Sequence, residues 1–168
     1  MTEPQTNAEV NSLAYPVRKR LRLKEYDYSS DGFYFVTVCA RNKQKLFGEI
    51  VDASLNTVQL SPIGKVIEKH IQQINRHYVN VSIDKYVVMP NHIHLIVVLG
   101  CEPVRSRPNP TLGNVIGLFK SGVSRELGES VWQLLFHDHV IRTRRAYEAI
   151  WEYIDTNPAA WEKDCFYI

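Results

Sequence analysis

The stretch YVVMPNHIHLIVVL, residues 86 to 99, carries two histidines, His92 and His94, inside an otherwise apolar run with the composition of a β-strand. Side chains alternate across a strand, so both imidazoles point to one face while Ile93, Leu95, Val97 and Leu99 point to the other. Two imidazoles side by side on a rigid strand can chelate one divalent cation; a structural, hydrogen-bonded role is the alternative. Met89-Pro90-Asn91 precedes the pair, and this turn-forming break sets the histidines at the start of a strand rather than in its middle. Near the other end of the chain, Tyr153 and Asn157 lie four apart in RRAYEAIWEYIDTNP, which has helical periodicity. Tyr153 falls at the edge of the stripe made by Tyr147, Ile150, Trp151 and Ile154, so it can be helix-borne without being committed to the core. If the helix persists to Asn157, its amide oxygen shares a face with the Tyr153 hydroxyl. The two would then bring a nucleophile and a third metal ligand to the histidines. Pro158 disfavours helical backbone at Asn157, so a helix-terminating role stands beside the ligand role.

These residues need elements to hold them. GFYFVTVCA (32 to 40) is rich in aromatic and β-branched residues and reads as a central strand. LFGEIV and TVQL flank Asp52 to Asn56 as a hairpin at the sheet edge or projecting from it. Ser61-Pro62 opens a helix whose stripe is Ile63, Val66, Ile67, His70, Ile71 and Ile74. VSIDKYVVMP and HIHLIVVL are two strands joined by the Pro-Asn turn, and three prolines make Gly100 to Pro110 a loop. Thr111 caps a second helix, 111 to 127, with Leu112, Val115, Ile116, Phe119, Val123 and Leu127 as its buried line. VWQLLFHDHVIR is a strand or extended connection, and a third helix ends at Pro158. The order predicts an α+β fold of ferredoxin-like, split βαβ type, an antiparallel sheet with helices on one face.

At 168 residues and 45% hydrophobic, the chain suits one well-buried domain. No run of 18 apolar residues and no signal-like start appear, which gives the expectation of a cytoplasmic protein with no membrane partner. Cys39, Cys101 and Cys165 are scattered and odd in number, so neither a disulfide framework nor a thiolate zinc site is indicated. The net charge of +2 is modest, yet the basic residues cluster. Arg18, Lys19, Arg20, Arg22 and Lys24 crowd one segment of a basic N-terminal arm, residues 1 to 30. Arg105, Arg107, Lys120, Arg125, Arg142, Arg144 and Arg145 recur later. Such clusters fit a polyanion or solvated surfaces.

Residues 86 to 99, with GNVIGLFKSGVSR (113 to 125), VWQ (131 to 133), HDHVIR (137 to 142) and EYIDTNP (152 to 158), resemble the REP-associated tyrosine transposases. These are relatives of the single-tyrosine HUH transposases of bacterial insertion sequences. One departure stands out: relatives often carry an arginine and aromatics after Trp132-Gln133, where this chain has Leu134-Leu135-Phe136-His137. The resemblance implies a catalytic domain over residues 31 to 162, followed by a short tail, 163 to 168. It implies His92, His94 and Asn157 as ligands of Mg²⁺ or Mn²⁺, and Tyr153 as the nucleophile that leaves a 5′-phosphotyrosine. It also implies single-stranded DNA, a hairpin of a palindromic repeat, as the partner of a monomer or homodimer that cleaves and rejoins the strand. Arg18, Lys19, Arg20, Arg22, Arg105, Arg107, Lys120, Arg125 and Arg142 are the expected DNA contacts, and His139 the expected support behind the metal ligands. His70, His77 and His137 are expected in surface or core roles. Two other classes remain: a hairpin-binding module without catalysis, and a metal-dependent nuclease in which activated water attacks.

Overall fold

The computed structural model describes residues 25–52, 54, 56–100 and 109–167. Arg18, Lys19, Arg20, Arg22, Arg105 and Arg107 lie outside them, as does most of the expected arm. The elements are β1 (Gly32–Cys39), β2 (Gly48–Asp52), β3 (Thr57–Leu60), α1 (Pro62–His77), β4 (Val81–Val88), β5 (His92–Leu99), α2 (Leu112–Leu127), β6 (His137–Ile141) and α3 (Arg144–Thr156). A four-stranded antiparallel sheet runs in the order β4-β5-β1-β6. With β2 and β3 set apart as a separate hairpin, this is the ferredoxin-like order, β1 lying between β5 and β6 while β4 pairs with its sequential neighbour β5 at the edge.

Caps define the helices as the sequence predicts. Ser61 Oγ accepts from Gly64 N at 3.1 Å, and Thr111 Oγ1 from Asn114 N at 3.2 Å. Thr143 caps α3 through Ala146 N at 3.1 Å. Gly64 is required at the base of α1, because a Cβ there would fall 1.9 Å from the Phe47 carbonyl oxygen.

Two cores lie on opposite faces of the sheet. Tyr34, Val36 and Val38 of β1 and Ile93, Leu95, Val97 and Leu99 of β5 pack under α1 and α2. Ile96 and Ile141 face the other way and bury Ile154 of α3. The helices therefore do not all share one face: α1 and α2 do, and α3 covers the other. The reason is visible in the alternation of β5, where His92, His94 and Ile96 form the second face. Lys85 of β4 fastens α3 there, paired with Asp155 and lying 3.7 Å from the centre of the Trp151 ring. Ahead of β1, Tyr26 and Tyr28 meet edge-on with ring centres 5.0 Å apart.

Candidate active site

The Met89-Pro90-Asn91 turn is held on all sides. Met89 N donates to His92 O, Phe47 N to Pro90 O and Ala40 N to Asn91 O, at 2.8 to 2.9 Å. β5 therefore begins at His92, and His92 and His94 are both buried on the α3 face. The Asn91 amide nitrogen donates to the carbonyls of Lys43 and Phe166, which turns its Oδ1 toward His92 Nδ1 at 2.8 Å. An oxygen acceptor there requires the proton on Nδ1 and leaves His92 Nε2 a bare lone pair. His94 Nδ1 lies 2.8 Å from Thr37 Oγ1, so its Nε2 also faces inward, 3.0 Å from His92 Nε2. Burial holds His92 at a pKa of about 4. Burial and the neighbouring His92 hold His94 well below the ordinary value. Both imidazoles are therefore neutral at neutral pH, the form that binds metal.

α3 delivers the other groups. Asn157 keeps α-helical backbone (φ −57°, ψ −42°) even though proline follows, and is 1% exposed. Its Nδ2 donates to Asp164 Oδ2 at 2.7 Å, while its Oδ1 is buried with no hydrogen-bond partner among the described residues. Terminating the helix and facing the site are thus compatible roles. Tyr153 Oη donates to Asp164 Oδ2 at 3.0 Å and lies 3.3 Å from His94 Nε2. Its ring is fixed between His94 at 5.2 Å and Phe35 at 6.1 Å, with 38% exposure. Burial, then the Asp164 charge and hydrogen bond, push the phenol above its ordinary pKa. Asp164 itself is pushed up by burial, but hydrogen bonds from Asn157 and Phe166 N outweigh this and lower its pKa overall.

His92, His94, Tyr153 and Asn157 are thus brought together, and Asp164 joins them. One ligand atom from each of His92, His94 and Asp164 lies within 4.8 Å of the others. A bare imidazole nitrogen, a carboxylate and an orphaned amide oxygen are acceptors with too few protons to share, and the C-terminal end of α3 adds partial negative charge. This donor set fits a divalent cation. Asp164 had no sequence signal: it follows Pro158 outside any periodic segment, and only the turn at Trp161–Lys163 brings it back. Phe166 arrives with it and covers His92 at a ring distance of 4.7 Å.

Other expected site residues stand elsewhere. His139 is exposed on β6 opposite Phe35, and no hydrogen bond among the described residues ties it to His92 or His94; Thr37 and Asn91 take that supporting place. Asp138, opposite Val36, is on the α1 and α2 side. Lys120 is not a free phosphate contact, because its Nζ donates to the carbonyls of Gln133 at 2.6 Å and Leu134 at 3.0 Å. Arg125 is exposed on α2, across the sheet from the histidines, and Arg142 is exposed past the far end of β6.

No family model matches the sequence. An uncharacterized protein of Haemophilus influenzae is 36% identical, the match covering 90% of this chain and 93% of that protein. The solved structure of a REP-associated tyrosine transposase bound to a REP hairpin aligns with a TM-score of 0.60 at 22% identity, covering 83% of this chain and 73% of that one. A second structure, from Deinococcus radiodurans, reaches a TM-score of only 0.43 at 14% identity.

Proposed function

The chain belongs to one family with that Haemophilus influenzae protein and shares its fold with a REP-associated tyrosine transposase, and from this premise we propose that it is a metal-dependent single-strand DNA nicking and strand-transfer enzyme acting on hairpin DNA. The observation that carries the proposal is the Tyr153 hydroxyl, 3.0 Å from Asp164 and 3.3 Å from His94 in a cluster with spare acceptors. His92, His94, Asp164 and the Asn157 amide oxygen would hold Mg²⁺ or Mn²⁺, the two oxygens suiting hard cations. Such a cation would neutralise and orient the scissile phosphate and lower the cost of forming the phenolate.

Tyr153 is protonated at rest, so attack and deprotonation are coupled, and its hydrogen bond to Asp164 gives the proton its first path out. The phenolic oxygen bonds to phosphorus, the bond to the 3′-oxygen breaks, and that oxygen leaves as a hydroxyl. One phosphoester replaces another, so a 3′-hydroxyl can later reverse the step without ATP. Tyrosine and histidines meet within one chain, so a single copy suffices to build the site. Arg18, Lys19, Arg20, Arg22, Arg105, Arg107, Arg125 and Arg142 are proposed phosphate contacts that supply affinity rather than chemistry.

The test is nicking of a labelled hairpin oligonucleotide in Mn²⁺. His92→Ala with His94→Ala should abolish it while circular dichroism stays native, because Ile93 and Leu95 keep the opposite core intact. Cleavage that survives the double substitution, or excess EDTA, overturns the proposal.

A further inference from the structure

A separate cleft of about 610 Å³ opens between the start of β2 and the turn after α3. Its size is that of a small-ligand site. Lys45 and Lys163 on its walls are balanced by Glu49 and Glu162, so it is not built for a polyanion. Trp161 and Tyr167 supply ring surface, packed edge-on at 5.2 Å, and Lys45 Nζ stands 5.1 Å over the Tyr167 ring. A neutral wall of rings with donors and acceptors at its rim suits a planar, amphipathic group.

Two further observations specify that group. Trp161 is shared with the candidate active site, its ring 5.9 Å from that of His92, so the cleft begins one side chain away from the metal ligands. The cleft is also braced: Asn56, between β2 and β3, donates to Asp155 O and accepts from Ala159 N, which ties the hairpin to the turn after α3.

We propose that this cleft holds one unpaired nucleobase of the DNA strand, adjacent to the scissile phosphate, stacked on Tyr167 in the place that the Lys45 ammonium takes over that ring, with the displaced ammonium and Glu49 at its edge. The inference rests on the reading that a single strand crosses the histidine site. Stacking supplies affinity for any base. The Glu49 carboxylate accepts from amine and imino N–H groups on the open base edge, and so favours guanine, cytosine or adenine over thymine, whose single N3–H lies between two carbonyl oxygens.

The experiment uses the full chain carrying Tyr153→Phe, so that binding is read without cleavage, and a hairpin with a single-stranded flank in which each nucleotide in turn is made abasic. One position should weaken binding roughly tenfold. Tyr167→Ala should weaken the intact oligonucleotide by a similar factor yet cost little more on that abasic one, while Tyr167→Phe binds normally. Lys45→Ala should show the same coupling in smaller degree. Flat sensitivity along the flank, or losses that simply multiply, overturns the cleft assignment. Covalent attachment by the wild-type protein reads the underlying reaction independently: an adduct without coupling sinks the cleft alone, and coupling without an adduct upholds the cleft and sinks the cleavage chemistry.

Discussion

Asn91 and Thr37 decide what the two histidines can do, because each occupies an Nδ1 and leaves Nε2 to the site. With His92 Nε2 bare, the 3.0 Å contact between the rings needs a proton on His94 Nε2, and the Thr37 hydroxyl then donates to His94 Nδ1. A metal on His94 Nε2 would require the proton on Nδ1 and so reverse that hydroxyl, which can serve as donor or acceptor. Thr37→Val keeps the shape and loses this adaptability, so Mn²⁺ affinity should fall about tenfold to a hundredfold, measured by calorimetric titration, with a loss of stability of about 1 kcal/mol because His94 Nδ1 is left buried without its partner. The histidines also give the metal-free protein a pH dependence. His92 has a folded pKa of about 4 against an ordinary value near 6.5. Between these values the unfolded chain binds more protons, so stability is full above about pH 6.5 and falls as pH drops toward 4. Urea unfolding in EDTA across this window should show the decline, and His92→Gln should flatten it.

At the scale of elements, Lys120 shows how one residue type can hide two roles. Its ammonium links α2 to the Gln133 and Leu134 carbonyls just before β6, and Trp132 Nε1 donates back to Lys120 O at 3.2 Å. Lys120→Met should therefore destabilise the fold by about 1 kcal/mol through lost carbonyl partners, seen in denaturant unfolding, and leave the salt slope of DNA binding unaltered. A lysine in a basic sequence cluster looks like a phosphate contact, and only tertiary structure reveals the carbonyls it serves. The strands and helices were legible because alternation and capping are local: Ser61, Thr111 and the Met-Pro-Asn turn act within four residues. The side of the sheet taken by α3 was not, since helical periodicity says that Ile150 and Ile154 are buried but not against which face. The candidate cluster was legible where its members sit on regular elements, at His92, His94, Tyr153 and Asn157, and illegible at Asp164, which is positioned by a turn.

For the whole molecule, the fold divides labour across its sheet. One face, under α1 and α2, holds the larger core, and the other carries α3 and the polar cluster, so substitutions in that cluster should disturb the proposed chemistry more than folding. Affinity for DNA is assigned to charge away from that cluster. Replacing Arg18, Lys19 and Arg20 by glutamine should weaken hairpin binding and reduce the slope of log K against log salt by about 0.7 to 0.9 for each lost phosphate contact; an unchanged slope would mean that these side chains only meet solvent. The central claim is that Tyr153 attacks phosphorus. Wild-type protein incubated with labelled hairpin DNA and Mn²⁺ should yield a 5′-phosphotyrosine adduct that survives denaturation and maps to the peptide containing Tyr153. Tyr153→Phe should form none while still binding DNA, and Tyr147→Phe and Tyr167→Phe should form it normally. Cutting without an adduct, an adduct on another residue, or an active Tyr153→Phe protein would contradict the account.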